Sequence, residues 1–174
     1  MEKKELKLNL GCGYDIRKGW INIDQFRGEG IDMCTDLNKA PYPFKGNSVD
    51  RIYVRLLLEH LTLPYHKFFK EILRILKPGG VIVLVVPHFT GRYAQSEVTK
   101  LFNYFSFRPC GDRECDIFND FQEISRHLSF ERDWYLPLNP LIEKLANKYP
   151  FVYENTMLKA LFPAFELKIV FKKK

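Results

Sequence analysis

The stretch from Tyr65 to Val86 constrains the fold more than any other part of this chain. From Tyr65 to Lys77 the apolar residues Phe68, Phe69, Ile72, Leu73, Ile75 and Leu76 recur at spacings of three and four, which predicts an amphipathic helix. Pro64 stands before it and Pro78-Gly79-Gly80 ends it. The run Val81 to Val86 that follows has no polar alternation, as expected of a central parallel strand covered on both faces. A helix feeding such a strand is the unit from which parallel α/β sheets are built.

The flanking sequence keeps this rhythm. Leu6, Leu8 and Leu10 alternate with Lys7 and Asn9 and stop at Gly11, a first strand running into a glycine loop. Trp20 to Asp24 and Ile31 to Cys34 read as short second and third strands, and Ile52-Tyr53-Val54 as a fourth after the turn-forming Lys45-Gly46-Asn47. Asp120 to Leu128 reads as a helix and Ser129 to Tyr135 as a sixth strand. Phe165, Leu167, Ile169 and Phe171 alternate with charged residues, a last strand with one wet face. Two segments break the pattern. Ten residues separate Gly13 from Asp24, too few for a loop and a full crossover helix. His88 to Phe118 is aromatic and polar without period, and reads as an excursion over the ligand end of the sheet.

At 174 residues the chain is expected to form one domain spanning 1–174. With 46% hydrophobic and 28% charged residues it is neither disordered nor fibrous. A membrane span needs about 20 apolar residues and no run here approaches that; the N-terminus also lacks the apolar block of a signal peptide, so a cytoplasmic protein is expected. Cys110 and Cys115 do not have paired zinc-knuckle spacing, and the reading is free thiols with no metal. The net charge of +6 suits an anionic ligand of any kind. Lys172-Lys173-Lys174 reads as a solvated tail.

The residues able to do chemistry gather at strand ends. Gly11-Cys12-Gly13 leaves the first strand, where missing side chains let the backbone approach a ligand. Asp24 tips the second, placed to accept hydrogen bonds from both hydroxyls of a ribose. Asp36, beyond the third, could meet an adenine amino group, with the amide of Leu37 on the ring nitrogen. A dinucleotide loop would want a glycine at the position of Ile16, so a nicotinamide enzyme is disfavoured.

From residue 6 to about 89 these segments resemble, in order, the class I S-adenosylmethionine-dependent methyltransferases of the type 11 branch. The carriers are Leu8-Asn9-Leu10-Gly11-Cys12-Gly13, Gly19-Trp20-Ile21-Asn22-Ile23-Asp24, Asp36-Leu37 with Pro43-Phe44, Asn47-Ser48-Val49-Asp50, Leu58-Glu59-His60-Leu61 and Leu76-Lys77-Pro78-Gly79-Gly80. The resemblance implies a Rossmann-like, three-layer α/β/α fold with a seven-stranded sheet ordered 3-2-1-4-5-7-6, the last strand antiparallel and the first helix shortened. It implies S-adenosylmethionine as cofactor, S-adenosylhomocysteine as product and no metal. Gly11, Cys12 and Gly13 would face the methionine portion, Asp24 the ribose, Gln25 the adenine, and Asp36 with Leu37 the adenine edge. The backbone of Arg55 would lie near the amino group, its side chain toward the acceptor. Asn9 stands where the family has an acid and Asp15 where it has a third glycine. Arg17 or Lys18 could stand in for the missing helix end as partner of the cofactor's carboxylate.

An oxygen or nitrogen acceptor that carries a proton needs a base. His60 and His88 are the candidates by position, and Arg55, His88, Phe89 and Tyr93 the candidate acceptor contacts. The excursion reads as a lid at about 88–118 whose rings cover the sulfonium and whose cations Arg92, Lys100, Arg108 and Arg113 hold an anionic acceptor, with some rings buried merely to order it. A small-molecule or glycan/lipid-type acceptor is expected. The alternatives are an RNA methyltransferase using the basic surface and tail, against which the Asn/Asp-Pro-Pro-Tyr type of motif is missing at Val54-Arg55-Leu56-Leu57, and a non-catalytic cofactor-binding protein.

Overall fold

A computed structural model describes residues 5–91, 100–109, 116–130 and 138–174. Its strands are β1 (Lys7–Leu10), β2 (Ile21–Asp24), β3 (Met33–Cys34), β4 (Val49–Arg55), β5 (Leu76–Pro87), β6 (Phe121–Phe130) and β7 (Ala164–Lys173). They form one sheet in the order β3-β2-β1-β4-β5-β7-β6, the order expected from the resemblance. β1 to β5 pair in parallel, and β7 lies antiparallel between β5 and β6. Four α-helices are described: α1 (Tyr65–Ile75), α2 (Asn139–Lys148), α3 (Pro150–Asn155) and α4 (Leu158–Leu161).

α1 forms where its period predicted it and buries Phe68, Phe69, Ile72 and Ile75. They meet the sheet face carrying Leu8, Leu10, Ile52, Val54, Ile82 and Leu84, all fully buried. The helix stops at Ile75 because Leu76 is already paired with Val49 in the sheet. Its last carbonyls are held from outside the helix: the Lys173 ammonium donates to Leu73 O at 2.6 Å and Leu76 O at 2.9 Å. Lys174 likewise donates to Asn119 O at 2.6 Å. Lys173 and Lys174 are therefore built into the fold, correcting the reading of a solvated tail, while Lys172 is exposed.

A further correction concerns the C-terminal half. The segment expected as a helix from Asp120 to Leu128 is mostly β6, preceded by a short 3-10 turn at Asp116–Asp120. A register shift between Glu123 and Ser125 puts Phe121 and Leu128, both buried, seven residues apart, which imitates a helical stripe and hides the period of two. The aromatic excursion carries buried rings, as ordering it requires. Phe102, Phe107 and Phe118 are buried, with Phe69–Phe118 centroids 4.9 Å apart, Phe69–Phe107 5.6 Å and Phe102–Phe107 5.0 Å. These rings extend the main core past α1. Arg92, Tyr93, Cys110, Arg113 and Cys115 lie outside the described residues.

The layering is uneven. On the face opposite α1, Val81, Val83 and Val170 are half-buried and Arg51, Lys168 and Lys172 exposed, so the β5 run is fully covered on one side only. In the slot between β1 and β2 the chain makes turns instead of a helix. There Arg17 lies 3.4 Å over the Tyr53 ring, and Trp20 meets that ring edge-on at 6.4 Å.

Candidate active site

The site begins at the carboxyl end of β1. Gly11 and Gly13 have φ of 64° and 49°, and a Cβ on Gly11 would stand 2.6 Å from Leu57 Cδ1. Glycine is thus required there twice over, by conformation and by close approach. Gly13 N donates to Asp24 Oδ2 at 2.9 Å and Cys12 N to Ile23 O at 3.0 Å, tying the loop to the end of β2. Cys12 is buried, and burial first, then the Asp24 charge, pushes its thiol up to about 11. It stays a neutral packing group.

Asn9 and Asn22 explain how the loop holds without an acid or a helix end. Asn9 is 2% exposed, and its amide donates to Asp15 O at 2.6 Å and to Asn22 Oδ1 at 3.0 Å. Asn22 Oδ1 also accepts from Arg17 N at 2.9 Å, while Asn22 Nδ2 reaches Asp32 Oδ2 at 3.1 Å. Arg17 is spent within this network: its guanidinium pairs with Asp15 at 2.9 Å and covers Tyr53. It is not the free partner for a cofactor carboxylate that its position suggested.

A cavity of about 320 Å³ opens beside the loop. Gly11, Gly13, Asp24, Gln25, Leu37 and His60 line it, as do Phe26, Thr35, Asn38, Leu56, Leu57 and Leu61, which sequence reasoning missed. Leu56 holds φ at 50°, rare for a branched residue, and so turns the chain off β4 toward the loop. Nothing in a Leu-Leu pair signals that. Asn38 Oδ1 accepts from Thr62 N at 2.8 Å and Leu63 N at 3.2 Å, fastening the turn after β4 to the end of β3. Lys100 holds the same turn by donating to the carbonyls of Leu61 and, at 2.9 Å, of Leu63. That use replaces the acceptor-holding role expected of it.

Other expected site residues stand elsewhere. The Asp36 carboxylate accepts from Asn38 N at 3.0 Å and pairs with Lys39 at 3.2 Å, which together hold it below its ordinary range; it is not among the cavity's lining residues. Arg55 forms an ion pair with Glu166 of β7 at 2.6 Å. Glu59, in the turn after β4, is 2% exposed, and its carboxyl is pushed up to about 7, by burial first and also by the Glu166 charge, against the pull of Arg55. His88 lies just past β5 with a fully buried ring, its Nε2 3.0 Å from Glu154 Oε1 and its Nδ1 2.7 Å from Thr90 Oγ1. Both nitrogens are engaged, so this ring acts as a tie between β5 and α3. Phe89 packs 4.6 Å from it. His60 is exposed at the cavity wall.

A seven-stranded sheet of this order, with a glycine loop, an acid on the next strand and a turn after β4 around one cavity, is the arrangement that the resemblance to class I S-adenosylmethionine-dependent methyltransferases implies. Residues 7–84 match the type 11 methyltransferase family, described as a methyltransferase domain, which supports a class I S-adenosylmethionine-dependent methyltransferase of that branch. No curated protein matches the sequence. Among solved structures, a SAM-dependent methyltransferase from Archaeoglobus fulgidus is similar over 97% of this chain and 86% of its own, with TM-score 0.67 and 16% identity. A complex of the Haloferax volcanii Trm112 methyltransferase activator with a methyltransferase gives TM-score 0.62 at 17% identity, covering 99% and 84%. A SAM-dependent methyltransferase from Mesorhizobium loti gives 0.57 at 15%, covering 98% and 91%.

Proposed function

We propose that the protein transfers the methyl group of S-adenosylmethionine to a small-molecule or glycan/lipid-type acceptor. When bound, the cofactor supplies an electrophilic methyl on its sulfonium. Gly11, Cys12 and Gly13 would hold the methionine portion, Asp24 the ribose, and Gln25 and Leu37 the adenine. The protein's own work is then to align the acceptor and exclude water. His60, the histidine at the cavity wall, is the candidate proton acceptor.

One observation carries the acceptor class. Beyond β5 a recess of about 540 Å³ is lined by Phe89, Phe105 and Phe151 with Asn103, Asn155, Glu154 and Lys159. Rings and amides suit a compact, partly apolar acceptor, whereas a polynucleotide would call for a row of free cations. Lys100, Lys173 and Lys174, which could have served such a row, are bonded to main-chain carbonyls.

Transfer of tritiated methyl into fractionated cell extract tests this reading. Label should enter the small-metabolite or lipid fraction and vanish with Asp24→Ala. Label in RNA would overturn the acceptor class, and cofactor binding without any transfer would favour the non-catalytic alternative. If His60 accepts the proton, His60→Gln removes the acid limb of the pH–rate profile.

A further inference from the structure

The helices between β6 and β7 leave much of their apolar surface uncovered. They grip the sheet through polar groups: Asn147 bonds Leu128 N at 2.7 Å and Leu128 O at 2.8 Å, Glu143 reaches His127 at 2.9 Å, and Glu154 reaches His88 at 3.0 Å. Ala146 and Tyr153 are buried and Ile142 packs against the core, but most of their other large apolar side chains face out. Of the fifteen large hydrophobic residues exposed among the described ones, nine lie between Leu138 and Leu161. Leu138, Leu141 and Leu145, at 55%, 55% and 45% exposure, share one face by their spacing of three and four, and Tyr149, Phe151 and Met157 continue at 50%, 69% and 76%. Scattered exposed leucines are ordinary, but such a concentration marks an interaction surface.

Among the described residues of α2 to α4 the exposed charges have one sign. Lys144 and Lys148 are exposed, and the Lys148 ammonium lies 5.1 Å over the Tyr149 ring. Both acids of α2 and α3, Glu143 and Glu154, point inward, with side chains 16% and 6% exposed. We propose that the α2–α4 surface docks the protein onto an anionic lipid surface, its lysines on the headgroups and its apolar side chains at the acyl boundary. A second copy is the poorer fit, because a two-fold contact sets the patch against itself and lysine against lysine. No described helix is long and apolar enough to cross a membrane, so the attachment is peripheral. Glu154 anchors α3 to the end of β5, and docking there would turn the ligand end of the sheet toward the lipid.

Flotation with vesicles tests the proposal without any methyl acceptor. The protein should float with equimolar phosphatidylglycerol and phosphatidylcholine and stay behind with phosphatidylcholine alone. Lys144→Gln with Lys148→Gln should weaken partitioning about thirtyfold, each lysine near an anionic surface contributing about fivefold. Leu141→Glu with Leu145→Glu should abolish it while circular dichroism stays unchanged. Arg51→Gln with Lys172→Gln removes the same charge from the open sheet face and should leave flotation intact; an equal loss there would show that net charge alone drives it and overturn the proposal. Absence of flotation, or a dimer in light scattering that Leu141→Glu with Leu145→Glu dissolves, would also overturn it.

Discussion

Glu59 and Asn9 show how far single residues depart from their usual behaviour. The Glu59 carboxyl, pushed up to about 7, holds its proton more tightly folded than unfolded, so stability falls as pH rises from about 4.5 to about 7. That window corresponds to about 3 kcal/mol. Glu59→Gln, uncharged at every pH, should raise Tm by about 5 °C at pH 8 and far less at pH 5. An equal gain at both pH values would show that Arg55 and Glu166 leave the carboxyl untitrated in this range. Asn9 makes the opposite case. Its amide faces two acceptors, Asp15 O and Asn22 Oδ1, so the acid that the family carries at this position would meet them with a charge instead of two donors. Asn9→Asp should therefore cost about 2–3 kcal/mol and weaken S-adenosylhomocysteine binding in calorimetry. Wild-type stability would refute the network. Gly11, Gly13 and Asp24 were legible in the sequence because glycines and a carboxylate at strand ends announce chemistry. Leu56 and Leu57 were not, since a positive φ and a close approach leave no mark on an apolar pair.

At the scale of elements, legibility followed periodicity. β1, β7 and α1 form where their periods place them, and the expected runs Ile52–Val54 and Val81–Val86 lie within β4 and β5. β6 was lost because its bulge substitutes a spacing that imitates a helix, and pairing with β7 along its length overrides the helical preference of Gln122, Glu123 and Arg126. The helix stop was visible in Pro78-Gly79-Gly80, but its cap was not, because Lys173 comes from the far end of the chain. That ammonium completes the C-terminus of α1 and also reaches Asn47 Oδ1 at 2.7 Å. Cations at helix carbonyls contribute about 1–2 kcal/mol when partly buried, so Lys173→Met should lower Tm by about 4 °C. Lys168→Met, on the same strand but exposed, should leave it within a degree or so. Comparable losses from both would mean that charge, not the cap, matters.

Across the whole molecule the basic excess has a structural use. Long irregular connections leave main-chain carbonyls without strand or helix partners, and each buried one needs a donor. Arg74 bonds Tyr42 O and Phe44 O, Arg126 bonds Tyr104 O and Ser106 O, and Lys159 bonds Glu154 O. With Lys100, Lys173 and Lys174, six cations close loops this way. Cationic charge that looked available for a polyanion is in part consumed by the fold, and some of it couples distant parts. Lys100 joins the aromatic excursion to the turn that walls the cavity beside the glycine loop, whereas Lys173 joins β7 to α1 on the far side of the sheet's carboxyl end. The two sites share no partners, so their stability losses should add. Their effects on the cofactor should not. Lys100→Met should weaken S-adenosylhomocysteine binding about tenfold, about the loss expected when one charge-assisted bond that positions a binding loop is removed. Lys173→Met should leave that affinity within about twofold. Calorimetric titration of both variants decides the point: equal loss would show that affinity follows global stability, and no loss in Lys100→Met would show that the turn holds its shape without the excursion.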